Sequence, residues 1–303
     1  MAIRKVPEPS YDKDVKKIAN LYIKARSAII LELLALVENK GEPMKVNQQA
    51  SMLRQIDFIL SQLNIEVQAT IEEGILSSFK EGQAALAYQV GDFNSLSDAT
   101  KGVQFSQLSK STMDAIFADT MDDLLAATQL TSKRTKQIVR RVVSERLKMD
   151  TAKAKGYRTM SKGLIEELTK QGLSNSIKEK GFVGIVDRKG RKWELNRYVD
   201  LVVRSKYKQA RTEALRTEAL ERGIDLAVIS SHGAKDACKN YEGMVISMNG
   251  NTAGYPTYEE LRSSNKIFHP NCKHTLYAIR SEELLTDKER QVNSEKTEKY
   301  KKN

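Results

Sequence analysis

Early in the chain, apolar residues return at helical intervals. Val15, Ile18, Tyr22, Ala25, Ile29, Leu33 and Leu36 recur three or four positions apart, and so do Leu53, Ile56, Leu60, Leu63 and Val67. Such spacing gives each of two helices one apolar stripe, wide enough to pack antiparallel neighbours. Between them "NKGEPMK", residues 39–45, holds Gly41 and Pro43 and predicts a break. The second helix is expected to run on through "EVQATIEEGILSSFKEGQAALAY". "GDFNSLSDATKG", residues 91–102, reads as a loop, being rich in Gly, Asn, Ser and Asp. A third helix is expected near 105–128, with Phe117, Met121 and Leu124 on one side. A separate basic helix is expected from 131, with Thr131 or Ser132 as its N-cap and Ile138 and Val142 facing inward. "SKGLIEELTKQG", residues 161–172, predicts one more short helix, stopped at Gly172.

The pattern changes at Gly181. "GFVGIVDRKGRKWEL" holds two short apolar runs about a charged turn and predicts a β-hairpin, with Val183 and Ile185 facing Trp193 and Leu195. Asn196 is the expected cap of a long helix, with Asp200 in its first turn and Val199, Val203, Tyr207, Ala210 and Ala214 as its buried stripe. "IDLAVISS" reads as a strand leading to His232, and further short strands are expected at 244–248 and 275–279. The polar end, "TDKERQVNSEKTEKYKKN", reads as a loose tail.

These elements predict a fold that is mainly α with a small α+β module. A helical arm or bundle is expected over 1–180, the α+β module over 181–280 and a flexible tail over 281–303. Composition agrees, since the chain is 40% hydrophobic and 29% charged, with 5 prolines and one tryptophan. The most apolar stretch, "SAIILELLALV", carries Glu32 and falls short of the roughly 20 residues needed to span a bilayer. The opening residues lack an apolar run, so no secretory signal and no membrane span are expected.

Charge is unevenly spread. Residues 1–130 hold 13 Lys+Arg against 17 Asp+Glu, residues 131–220 hold 24 against 10, and residues 221–303 hold 13 against 12. The middle band therefore carries more than the whole formal surplus of +11. It suits a polyanion such as double-stranded DNA, or else forms a solvated helix face. Arg140, Arg141, Lys148 and Lys153 are the first phosphate-contact candidates.

All 3 histidines and both cysteines fall between positions 232 and 274, as His232, Cys238, His269, Cys272 and His274. Two cysteines in an unexported chain suit thiols or metal ligands better than a disulfide. Zinc takes four N or S donors in a closed structural site. Five candidates for four places leave one surplus, and His269 is the expected one because Pro270 follows it. A loop-rich module with few large apolar residues needs a staple. Three readings stay open: a structural zinc, a metal-free packed turn, and a catalytic metal or thiol. For the last, Asp236, Glu242, Glu259 or Glu260 would supply a base, or Cys272 would pair with His232 or His274. No G-x-S-x-G, P-loop, H-E-x-x-H or dinucleotide fingerprint occurs in the sequence.

Residues 181–280 resemble the tailed-phage minor capsid proteins. The likeness is to the group called minor capsid protein 2, and the stretch is also similar to Mu-type head morphogenesis proteins. It rests on Asp187, Gly190, Arg191 and Trp193 in the hairpin, and on Tyr198, Leu201, Val202 and Arg204 in the helix. It continues through Ser230, Ser231, His232, Gly233 and Ala234, then Tyr241 and Gly243, then Asn271, Cys272, Lys273 and His274. Where that family often carries a longer glycine-rich insert, this chain has the short polar "YPTYEELRSSNKIF". The resemblance implies a non-enzymatic virion protein, sited inside the head near the portal vertex after assembly in the host cytoplasm. Its implied partners are the portal, capsid and scaffolding proteins and packaged DNA, with no small-molecule substrate and with release alongside the DNA at ejection in prospect. Two alternatives stand beside it: a metal-dependent nuclease or thiol hydrolase, and a helical DNA-binding protein without a capsid role.

Overall fold

A computed structural model describes residues 3–38, 46–153, 185–186, 192–193 and 195–301. The helices among them are α1 (Asp12–Glu38), α2 (Val46–Gln89), α3 (Leu96–Gly102), α4 (Gln107–Lys153), α5 (Leu195–Glu221), α6 (Tyr258–Ser263) and α7 (Asp287–Lys301). The strands are β1 (Ile185–Val186), β2 (Lys192–Trp193), β3 (Leu226–Ile229), β4 (Val245–Ser247) and β5 (Leu276–Ile279). Fold class therefore matches expectation: mainly α, with a small antiparallel sheet toward the C-terminal end.

The chain forms two compact units that do not follow the division at residue 180. One unit takes residues 12–71 and 120–202, and the other takes 1–11, 72–119 and 203–303. The first, helical unit is built on the stripes read from the sequence. Val15, Ile18, Tyr22, Ala25 and Ile29 of α1 are buried, as are Ile56, Leu60, Leu63 and Val67 of α2, while Leu53 is half-buried. Met121, Leu124 and Ala127 of α4 and Val199 and Val202 of α5 complete this apolar interior. A polar link joins α1 to α4, where Tyr22 Oη lies 3.4 Å from Thr128 Oγ1. On the surface of the same unit Lys136 pairs with Asp57. The hairpin β1–β2 pairs Ile185 with Trp193 and Val186 with Lys192. The expected break at 39–45, the helix at 161–172 and the hairpin turn lie outside the described residues.

The second unit, here called the sheet unit, has an antiparallel sheet in the order β4-β3-β5. Its core joins Leu215 and Ala219 of α5, Ala85 and Leu86 of α2, Ala227 and Ile229 of β3, Ile246 of β4 and Leu276 and Ala278 of β5. Gly82 of α2 lets α5 approach closely: a Cβ there would stand 2.1 Å from the Arg211 carbonyl oxygen and 2.7 Å from Ala214 Cβ. Both sheet edges are covered by side-chain amides. At the β5 edge, Gln89 donates to the Leu276 carbonyl at 3.3 Å and accepts from the Ala278 amide at 2.9 Å. At the β4 edge, Asn293 of α7 accepts from the Val245 amide at 2.8 Å. Unpaired edges are templates for further strands, and these amides close them.

Several local expectations are corrected. Residues 91–102 are not all loop, since Ser95 caps α3 by accepting from the Asp98 amide at 3.1 Å. Thr131 and Ser132 cap nothing, because α4 runs unbroken past them and starts where Ser106 accepts from the Ser109 amide at 3.0 Å. Leu195 opens α5 instead of closing the hairpin, so Asn196 is the second helical residue and Asp200 lies beyond the first turn. The polar C-terminal stretch is helix α7, with Val292 against Gly243 and the Tyr300 ring 6.3 Å from that of Tyr241.

Candidate metal centre

Three short segments of the sheet unit bring the histidines and cysteines together. β3 ends at Ile229 and the chain crosses back through Ser230, whose amide donates to the Thr275 carbonyl at 2.9 Å. That places residues 230–234 alongside the start of β5. A short 3-10 turn, Ala237–Asn240, follows, with Asp236 as its cap accepting from the Cys238 amide at 3.0 Å. The third segment is a tight turn over 269–272. The Cys272 amide donates to the His269 carbonyl at 2.9 Å and Asn271 has φ of 65°. Proline at the second position and positive φ at the third are the marks of a type II turn. His269 and Cys272 thereby become its two neighbouring corners.

Contacts run through the cluster in series. His269 Nε2 lies 3.2 Å from Cys238 Sγ, and Cys238 Sγ lies 3.9 Å from Cys272 Sγ. Cys272 Sγ lies 3.3 Å from His274 Nδ1, and His274 Nε2 lies 3.1 Å from Glu242 Oε1. That carboxylate oxygen also accepts from the backbone amides of His232 at 2.9 Å and Ala234 at 3.0 Å. At the other end His269 Nδ1 faces the Pro270 carbonyl at 2.8 Å. Asp236 lies beside His269, at 3.6 Å from Nε2. Cys238 and His274 are 1% exposed and Cys272 5%, whereas His269 is half-buried and His232 exposed. Ligand atoms of Cys238, Cys272 and His274 lie within 4.8 Å of one another, as do those of His232, Glu242 and His274 and those of Asp236, Cys238 and His269.

Position within the cluster differs from expectation for two residues. His269 faces a thiol despite Pro270, because the turn directs its ring back across the mouth of the cluster. His232 instead lays its ring against that of His274, with centroids 4.2 Å apart. Lys208 of α5 joins the cluster from outside the histidine and cysteine set, donating to the Cys272 carbonyl. It follows Tyr207, one step round α5 from the buried stripe, and that border position is the only sequence signal for it.

These contacts polarise the two thiols in opposite directions. Burial works against a charge on Cys272, but the hydrogen bond with His274 and the Lys208 ammonium bring its pKa down to about 6. Burial pushes Cys238 up to about 12, helped by the neighbouring Cys272. His274 is raised: burial opposes its charge, and Cys272 and Glu242 outweigh burial. Burial brings Lys208 down to about 8.

A thiol, an imidazole and a carboxylate in series also resemble an activated nucleophile. Here, however, the thiol and the imidazole are both inside the core, and Cys272 Sγ is met by Cys238 and His274. Of the phosphate-contact candidates, Arg140 is exposed on α4. Arg141, Lys148 and Lys153 share that helix, and their side chains lie outside the described set. No helix among the described residues is long and apolar enough to cross a membrane.

The family model described as phage minor capsid protein 2 matches residues 38–301. No curated protein and no solved structure matches the chain.

Proposed function

Since the chain belongs to the phage minor capsid protein 2 family, we propose that within the phage head it associates with the portal vertex and contacts packaged DNA. Virion localisation and phage structural partners come with the family. The finer reading is that the protein binds portal, capsid and scaffolding proteins during assembly in the host cytoplasm, remains inside the head, and leaves with the DNA at ejection. The observation that carries it is the span of the match, residues 38–301, which takes in α2, α4 and α5 as well as the strands of the sheet unit.

Charge supports the DNA contact. The surplus of 24 basic over 10 acidic residues lies in 131–220, and Lys133 and Arg140 are exposed on α4. Neutralising phosphates releases counterions, so such binding falls steeply with salt. The role is association, not turnover. Burial of Cys272 and His274 supports this, because a thiol hydrolase or nuclease must present its reacting groups to a polymer. Family membership also favours a capsid role over that of a DNA-binding protein unconnected with the head.

Two measurements test the proposal. Co-expression with the portal protein of the same phage should yield a complex that survives size exclusion. Duplex DNA should bind with an affinity that drops with salt, and replacing Arg140, Arg141, Lys148 and Lys153 by Gln should flatten the log–log slope by about 0.9 per lost phosphate contact. A protein that ignores the portal, or an unchanged slope in the fourfold variant, contradicts it.

A further inference from the structure

We propose that the sheet unit binds one zinc ion through Cys238 Sγ, Cys272 Sγ, His274 Nδ1 and His269 Nε2, with Glu242 holding His274 from behind. Zinc–sulfur bonds of about 2.3 Å and zinc–nitrogen bonds of about 2.0–2.1 Å set tetrahedral edges of about 3.8 Å between sulfurs and about 3.5 Å between sulfur and nitrogen. The observed edges are 3.9 Å between the sulfurs, 3.2 Å from Cys238 to His269 and 3.3 Å from Cys272 to His274. Three consecutive edges thus match those of a tetrahedral shell: Cys238, Cys272 and His274 lie within 4.8 Å of one another, and His269 joins them through Cys238, so binding draws its ring inward.

A second observation is independent of those distances. Each imidazole has its other nitrogen engaged by an oxygen acceptor. For His274 it is Nε2 on Glu242, and for His269 it is Nδ1 on the Pro270 carbonyl. Placing the proton on those nitrogens leaves the lone pair on His274 Nδ1 and on His269 Nε2, the two atoms that face sulfur. Metal-bound histidines are oriented in this way by carboxylates and carbonyls behind them. Glu242 is itself held by two backbone amides. His232 is the surplus histidine. It is exposed, it stacks on His274, and it shares no donor group with either cysteine.

Binding deprotonates both thiols and releases those protons to solvent, and the two thiolates balance the dication. Three donors are inside the core, and His269 stands half-exposed at the rim. The ion therefore enters past His269, and its role is structural: it ties the 3-10 turn to the turn that leads into β5. The inference does not depend on the head-assembly proposal.

The test uses the full chain, stripped with chelator under reducing conditions and titrated with zinc or cobalt(II). One equivalent should bind, and cobalt should show tetrahedral d–d bands with thiolate charge transfer. Cys238→Ser and Cys272→Ser should each weaken the charge-transfer signal, and the double variant should lose it. His269→Ala should keep it while binding more weakly, with water in the vacated place. Glu242→Gln should weaken binding by roughly tenfold. His232→Ala should bind as the parent does. The assignment is overturned if the folded parent takes up no stoichiometric metal, or if cobalt shows no thiolate band. It also fails if His232→Ala loses as much affinity as His269→Ala, or if the freshly reduced protein closes a Cys238–Cys272 disulfide in preference to binding zinc.

Discussion

Asp225, in the connection between α5 and β3, shows how one side chain can fix a turn. Its carboxylate accepts from the Ser247 hydroxyl and, at 2.8 Å, from the Asn249 amide. Burial works against its charge, but these donors hold its pKa below the ordinary aspartate value. A depressed carboxylate contributes stability above its unfolded pKa and loses it as pH falls through the folded one. Asp225→Asn should therefore cost about 1–2 kcal/mol at neutral pH. The deficit relative to the parent should shrink below the unfolded value of about 4. Chemical denaturation at neutral and acidic pH checks both parts, and a deficit that is constant with pH would contradict the assignment. The same scale shows what the sequence reveals of the cluster. Five residues of two types, all the histidines and cysteines of the chain, mark the cluster, and Asn271 next to Pro270 announces a turn that tolerates positive φ. The pairing of His274 with Glu242 is not readable from spacing, because it joins the segment before β4 to the segment before β5. Such a meeting leaves no trace in local spacing.

At the scale of elements, periodicity and capping chemistry were the legible signals, and tertiary coverage was not. The stripes of α1, α2 and α5 follow directly from apolar spacing. Thr131 and Ser132 suggest a cap within α4, yet no glycine or proline interrupts 107–153, and hydroxyl residues are tolerated within a helix. α6 and α7 lack a long apolar stripe, and their signal is instead the Thr-x-x-Glu with which each begins. Thr257 exchanges hydrogen bonds with Glu260, and Thr286 does so with Glu289. The covering of the sheet edges by Gln89 and Asn293 is beyond any local pattern, since Gln89 reaches partners almost two hundred positions away. Gln89→Ala and Asn293→Ala should each cost about 1–3 kcal/mol by leaving edge groups unpaired. The two edges are separate, so the double variant should show the sum to within about 0.5 kcal/mol, measured by urea denaturation. Self-association of Gln89→Ala, seen in light scattering, is the further expected outcome. Gly82→Ala tests the α2–α5 crossing. Alanine is the better helix former by about 1 kcal/mol, so stabilisation would mean the crossing has room. Overpacking against the Arg211 carbonyl should win, giving a net loss of about 1–3 kcal/mol.

For the whole molecule, fold class and the concentration of positive charge are legible in the sequence, whereas the interleaving of two compact units along the chain is not. Apolar spacing describes helices one at a time and does not say which length of a long helix joins which core. The sheet unit is assembled from residues 1–11, 72–119 and 203–303, with Val6 and Leu276 in the same apolar interior and Asn293 on the β4 edge. A ribosome delivers these pieces in order, at roughly 5–20 residues per second. The unit is therefore topologically unfinished until its final helix has left the exit tunnel. Up to that moment the Val245 amide on the margin of β4 lacks its acceptor, so a nascent-chain partner or a chaperone has a defined interval in which to act.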